Sequence, residues 1–189
     1  AMASKMWGPV IAMGFMIVMA AFIFGLVNSS ISSDYSQFSK ETREAAAGSS
    51  LATQKAFVES TKPWSPSFKL LGMGMILGGV TFLLVTILGA LRTGGGRVQD
   101  AMGVPISIIK PPKTVRIFPM LMMMGMMILI ASLIIAIVVA TVSYGYWNHS
   151  IATELNPAAE GSQLLGSLST INTVNAWLAP FKFVGIASL

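Results

Sequence analysis

The sequence has no cysteine, a single histidine and few charged side chains. Only 10% of its 189 residues are charged, whereas 54% are hydrophobic. Soluble domains carry about 25% charged residues, so this composition excludes an ordinary soluble globular domain. The absence of cysteine excludes disulfide bonds and thiolate metal sites. It also argues against four-helix membrane families whose extracellular loops depend on disulfides.

Charge is missing altogether from three long apolar runs, at 7–27, 70–91 and 117–147. Each run exceeds the roughly 20 residues that a helix needs to cross a hydrocarbon core of ~30 Å. Backbone amides cannot remain unpaired in lipid, so each run is predicted to be helical. The sequence therefore predicts an all-α integral membrane protein. Because ion and proton pathways need ionisable side chains inside the membrane, the charge-free runs argue against a pump or an ion-coupled transporter.

The remaining charge is unevenly distributed and predicts an orientation. The short segment 92–116 has five basic residues against one acidic residue, Asp100. The basic residues are Arg92, Arg97, Lys110, Lys113 and Arg116. Such an excess beside membrane segments is typical of cytoplasmic loops. We therefore expect the N-terminus and 92–116 to be cytoplasmic, and 28–69 and 148–180 to lie on the outer side.

Two halves of the chain resemble each other. At an offset of 113 residues, Trp64, Phe68, Lys69 and Gly72 align with Trp177, Phe181, Lys182 and Gly185, and Gly14 aligns with Gly125 at an offset of 111. This pattern predicts a tandem duplicated transmembrane helical hairpin. The first repeat is 1–113, with spans 7–27 and 70–91, outer segment 28–69 and basic inner loop 92–113. The second is 114–189, with span 117–147 and outer segment 148–180.

The duplication predicts three complete spans and the start of a fourth at 181–189. Those last residues form only ~14 Å of helix, too short to cross, so we expect the natural chain to continue past Leu189. Prolines and glycines predict where the helices break. Pro63 and Pro66 are expected to end the outer helix before the second span, and Pro180 to end the corresponding helix in the second repeat. The glycines at 94–96 predict an irregular inner loop.

Small residues recur at helical spacing and predict close helix packing. They are Gly72, Gly74, Gly78, Gly79, Ser132, Ala136 and Ala140. Side chains of this size let another helix backbone approach closely. Two interpretations remain open: packing among the helices of this chain, or association with another membrane protein or a second copy.

A methionine face and the histidine are the only candidates for metal chemistry. Met120, Met123, Met124 and Met127 share a helical face, and thioethers are soft ligands that favour Cu(I). Methionine is also an adaptable apolar side chain, and that interpretation is favoured. His149 and Glu154 are candidates for an outer metal site, although a surface histidine is the simpler interpretation. We therefore predict no metal and no cofactor.

No catalytic residues are proposed, because no pairing of nucleophile and base is evident. The basic residues of 92–116 are expected to contact anionic lipid head groups, and no nucleic-acid partner is expected. The sequence predicts a non-catalytic accessory or structural subunit of a larger membrane complex. The alternatives are a homo-oligomeric membrane scaffold and, in other classes, a copper-associated enzyme component or a channel or carrier.

Overall fold

The computed structural model describes residues 3–43, 49–105, 117–148 and 163–189. These residues are 92% helical and include no strand, which confirms the all-α prediction for this part of the chain. The helices are α1 (Ala3–Ser36), α2 (Lys40–Arg43, a single turn), α3 (Ser50–Ala101), α4 (Phe118–Trp147) and α5 (Gln163–Ala187).

Three of the described helices are long and apolar enough to cross a membrane. They are α1 over Met6–Ser36, α3, and α4, whose most apolar windows have mean hydropathies of 2.7, 2.2 and 2.8. Their outward faces carry large apolar side chains, such as Phe15, Leu84 and Ile134, each more than half exposed. Apolar surface of this kind is stable against lipid and costly in water. The architecture is that expected of a multi-pass membrane protein.

Helix α3 is the centre of the arrangement. It packs against α1 on one side and α4 on another, α4 packs against α5, and α3 touches α5 only over a short stretch. The contacts at α1 and α4 show that these neighbours run antiparallel to α3, since lower residue numbers in one helix meet higher numbers in the other. At about 1.5 Å per residue, the 52 residues of α3 span about 78 Å, far more than a bilayer core.

The predicted helix breaks at prolines and glycines are wrong. Pro63 and Pro66 lie inside α3, and Pro180 lies inside α5. Each proline removes one backbone hydrogen bond, but membrane helices tolerate this loss when packing on neighbouring helices offsets it. Pro63 is itself buried. The glycines at 94–96 also lie within α3, which ends only at Ala101.

The start of α3 has a local cause in the sequence. Ser49 adopts an extended backbone conformation, and its Oγ accepts a hydrogen bond from the Ala52 N–H at 3.2 Å. This is the usual way in which serine satisfies an orphan donor at a helix N-terminus. Helix α3 begins directly after this serine.

Candidate functional site

Helices α1 and α3 meet at glycines. A Cβ atom on Gly14 would lie 2.8 Å from the Gly72 carbonyl oxygen, and one on Gly72 would lie 3.0 Å from the Gly14 carbonyl oxygen. Two turns further along α3, a Cβ on Gly79 would collide with Ile11 and lie 3.2 Å from the Trp7 carbonyl oxygen. Real Cβ atoms essentially never come within 3.0 Å of another atom, and contacts of 3.0–3.4 Å are uncommonly tight. The two backbones therefore touch only because these positions are glycine.

A second glycine face of α3 meets α4. A Cβ on Gly74 would lie 2.6 Å from Leu129 Cδ1, and one on Gly78 would lie 2.7 Å from Met122 Cε. The facing side of α4 is also built from small residues, of which Ser132 and Ala136 are fully buried and Ala140 is nearly so. The Ser132 hydroxyl donates to the Leu129 carbonyl oxygen at 2.8 Å, so its burial leaves no donor unsatisfied.

Helices α4 and α5 also cross at a pair of glycines. A Cβ on Gly125 would lie 2.7 Å from the Gly185 carbonyl oxygen, and one on Gly185 would lie 2.9 Å from Leu129 Cδ2. Further toward the C-terminal end of α4, Val139, Tyr146 and Ile171 form an apolar cluster between the two helices.

The two glycine crossings use residues at corresponding places in the sequence. Gly72 contacts Ile17 and Val18, and Gly185 contacts Ile128 and Leu129. Positions 17 and 18 align with 128 and 129 at the offset of 111 that relates Gly14 to Gly125. The Trp64 and Phe68 rings are 5.9 Å apart at 71°, and the Trp177 and Phe181 rings are 5.7 Å apart at 76°.

All seven residues predicted for helix packing lie on faces buried within the chain. These small residues therefore let α3 pack closely against α1 and α4. Gly14, Gly125 and Gly185 are not among the residues predicted for helix packing, although the sequence aligns Gly14 with Gly125 and Gly72 with Gly185.

From Leu84 onward, nearly all of α3 is left exposed by the rest of the described chain, and one of its exposed faces also includes Leu77 and Val80. The residues of this face follow the alternating three- and four-residue spacing of a coiled-coil seam. We call this face the α3 seam, and its residues, all exposed, are Leu77, Val80, Leu84, Ile87, Leu91, Gly94 and Val98. The seam begins in the apolar run 70–91 and continues past its end.

The four methionines predicted to share a face do lie together. Met120, Met123, Met124 and Met127 are all exposed and line an open groove of about 500 Å³. Phe181 of α5 contributes to the same groove. Neighbouring Met122 points the other way, into α3, and is buried. The groove is almost entirely apolar apart from its sulfur atoms.

Of the predicted lipid-contacting residues, Arg92 and Arg97 lie on the exposed last turns of α3. Lys110, Lys113 and Arg116 lie outside the described residues, as do the metal candidates His149 and Glu154. No group of three or more histidine, aspartate or glutamate side chains is clustered for metal binding within the described ranges.

A buried lysine was not foreseen from the sequence. Lys182 of α5 is only 8% exposed, and its Nζ donates to the Pro63 carbonyl oxygen of α3 at 3.3 Å. One turn from Pro63, the Ser67 hydroxyl is fully buried and has no hydrogen-bond partner in the described part of the chain. The only sequence signal was the alignment of Lys182 with Lys69, which gives no indication of burial.

Comparisons with protein-family models, with curated proteins and with solved structures found no match to this chain. The described fold defines a class, that of helical proteins with three helices able to cross a membrane.

Proposed function

We propose that this chain is a non-catalytic accessory subunit of a larger membrane complex and stabilises that complex by helix–helix packing. The observation that carries the proposal is the α3 seam. From Leu77 to Val98 it extends over about 32 Å at 1.5 Å per residue. Its spacing suits a second helix that crosses α3 at about 20°.

The side chains at the inner end of the α3 seam favour a protein partner over lipid alone. Exposed apolar side chains within the run 70–91 are satisfied by lipid tails alone. Val98 and Met102, however, follow that run and are 58% and 71% exposed. Apolar side chains beyond the hydrocarbon core gain free energy when another protein surface covers them.

The glycines at 94–96 support the same conclusion. Each glycine in a helix interior costs about 1 kcal/mol relative to alanine, and a Cβ at any of these three positions would meet no neighbouring atom. No packing within the described chain offsets this cost. A partner helix would stabilise the segment, and the glycines would let that helix approach closely.

The partner we propose is a different membrane subunit and not a second copy. Copies of one membrane protein share the same orientation, so a symmetric pair through the α3 seam would place its Arg97 side chains at the same height. Like charges held together are unfavourable. A partner with acidic side chains beside the inner end of the seam would instead pair with Arg97, which flanks it.

The two glycine crossings support duplication of a hairpin as the origin of this architecture. In each hairpin the same pair of aligned glycines brings two helix backbones together, and an aligned Trp–Phe pair follows the same geometry. The basic residues Arg92 and Arg97 at the inner end of α3 support the predicted orientation, with this end cytoplasmic. In this proposal α5 corresponds to the outer half of α3 and to the start of its membrane span.

Native extraction tests the proposal. The chain would be extracted from its own membrane in mild detergent, sized under native conditions, and its co-migrating proteins identified by mass spectrometry. We expect a stoichiometric set of other membrane subunits. Migration alone or only with itself would contradict the accessory role, and self-association would favour the homo-oligomeric scaffold.

Matched variants connect that result to the α3 seam. Val98→Asp places a charge on the seam, and Thr93→Asp places the same charge on the opposite side of α3. We expect the amount of co-purifying subunits to fall at least tenfold in the first variant and to be unchanged in the second. Equal behaviour of the two variants would mean that the partner does not use the seam.

The methionine groove supports a second candidate, a copper-associated component, because four thioethers share one exposed surface. Metal analysis after chelator-free purification separates the two candidates. Stoichiometric copper that is lost in a Met123→Leu, Met124→Leu double variant would favour this alternative over the accessory role. If copper is absent, or if its amount is the same in the variant, the groove is an apolar surface and not a copper site.

A further inference from the structure

The outer end of the α1–α3 interface contains an open apolar groove with a lysine at its edge. The groove has a volume of about 420 Å³. Its lining includes Val18, Ala21, Phe22 and Gly25 from α1 and Lys69 and Met73 from α3. All of these residues except Lys69 are apolar or lack a side chain.

Gly25 keeps the groove open. A Cβ on Gly25 would meet no atom within 4 Å, unlike one on Gly14 further along the same helix. Gly14 is needed for the close approach of α3, whereas Gly25 lies where α3 does not fill the space. A larger side chain at position 25 would therefore occupy the groove without disturbing the helix crossing.

Lys69 places a positive charge where the apolar part of the membrane span begins. It is the last charged residue before the run 70–91, and it is exposed and pairs with no described carboxylate. Five residues earlier, Trp64 packs on Phe24 with ring centroids 4.8 Å apart. Tryptophans of this kind concentrate at the membrane–water interface. Along α3, Lys69 lies between Trp64 and Gly72, and Gly72 contacts Val18, so the lysine stands beside the middle of the groove. Its side chain leans toward the N-terminal end of α3, where Trp64 lies, and this brings the ammonium toward the height of lipid head groups. The part of the groove beside Val18 and Met73 lies deeper in the membrane.

We propose that this groove binds one anionic phospholipid. One acyl chain lies in the part of the groove beside Val18 and Met73. The phosphate group pairs with the Lys69 ammonium. The site is next to the α3 seam but includes none of its residues. A test of lipid binding is therefore independent of the accessory role.

The second hairpin provides an internal comparison. Lys182 aligns with Lys69, but it is buried and donates to the Pro63 carbonyl oxygen. A second apolar groove, beside α4, is lined by methionines and Phe181 and has no lysine in its lining. The two grooves are similar in apolar character and differ in charge. The charge therefore predicts that an anionic lipid prefers the groove beside Lys69.

Lipid binding to the purified full chain tests the proposal. The chain in detergent would be titrated with phosphatidylglycerol and separately with phosphatidylcholine, and bound lipids would be counted by native mass spectrometry. We expect one phosphatidylglycerol per chain to bind more tightly than phosphatidylcholine. Lys69→Gln should weaken that binding about fivefold, which corresponds to about 1 kcal/mol for one basic residue near anionic lipid.

Two further variants make the test specific. Lys62 lies on the same side of α3 but pairs with Glu59, so Lys62→Gln should leave the binding unchanged. Gly25→Leu should fill the groove and abolish the tight site. Equal affinity for the two lipids, or equal losses in the Lys69 and Lys62 variants, would overturn the proposal. If Gly25→Leu does not fold, the comparison of Lys69→Gln with Lys62→Gln is enough to test the proposal.

Discussion

Gly125 of α4 lies directly against the backbone of Gly185 in α5, so closely that a Cβ on Gly125 would be 2.7 Å from the Gly185 carbonyl oxygen. Gly14 and Gly72 make the corresponding contact between α1 and α3, at 2.8 Å. In lipid the hydrophobic effect does not favour one helix contact over another, so close van der Waals packing determines which helices associate. These two glycine pairs therefore account for much of the specificity of the helix arrangement.

The first prediction concerns these crossings. Gly125→Ala should lower the unfolding free energy by about 1–3 kcal/mol, because the new methyl group pushes against a backbone oxygen that cannot move without moving α5. Thermal unfolding in detergent, followed by circular dichroism, measures the change. Gly14→Ala should behave in the same way at the α1–α3 crossing.

Gly89→Ala is the matched control for both variants. Gly89 lies within α3, and a Cβ there would meet no atom within 4 Å. The substitution should leave stability unchanged or raise it by up to about 1 kcal/mol, since alanine has the higher helix propensity. If the control loses as much stability as Gly125→Ala, general effects of the substitution and not the close crossing are responsible.

The second prediction concerns Leu129, which joins three helices. It is fully buried on α4 and contacts the positions of Gly74 in α3 and Gly185 in α5. Leu129→Ala should cost about 2–5 kcal/mol, because the cavity cannot close without separating the helices. Ile130→Ala, at a neighbouring position that is 45% exposed, should cost much less. Similar melting temperatures for the two variants would show that α4 does not pack in this orientation.

The charge-free runs were enough to predict the helical membrane fold. A span needs only length and apolar composition, both of which can be read directly from 7–27, 70–91 and 117–147. The buried face of α4 could also be predicted from the sequence, because Ser132, Ala136 and Ala140 recur at the spacing of one helical face. The sequence alone does not show which of the small residues touch a neighbouring backbone, because that depends on where two helices distant in sequence cross.

The positions of the helix ends were harder to predict. Proline usually breaks helices, and this tendency suggested ends at Pro63, Pro66 and Pro180. The local cost of a proline was overridden because α3 and α5 are held by tertiary packing on both sides of it. The burial of Lys182 was unpredictable for a related reason. Its alignment with Lys69 says nothing about which direction each side chain takes after the helices pack together.

The third prediction compares two buried hydroxyls. Ser67 Oγ has no hydrogen-bond partner among the described residues, whereas Ser132 Oγ donates to the Leu129 carbonyl oxygen at 2.8 Å. Removing an unsatisfied buried polar group relieves a cost of about 1–3 kcal/mol, while removing a satisfied one loses about 0.5–1.5 kcal/mol. Ser67→Ala should therefore raise the melting temperature and Ser132→Ala should lower it. A decrease in both variants would indicate that Ser67 has a bound partner, such as a water molecule.

The fourth prediction concerns the buried ammonium of Lys182. Its single described hydrogen bond, to the Pro63 carbonyl oxygen, contributes about 1.5–3 kcal/mol as a charged bond, whereas taking an ammonium out of water costs several kcal/mol. The cost is the larger of the two, so Lys182→Met, which keeps most of the volume, should leave stability unchanged or higher. Lys182→Ala should lower it, because a cavity forms between α3 and α5. Lys69→Met, measured without added lipid, is the exposed control and should change stability by less than about 0.5 kcal/mol. A clear loss in Lys182→Met alone would mean that the ammonium itself holds α5 against α3, and that a second group shares its charge.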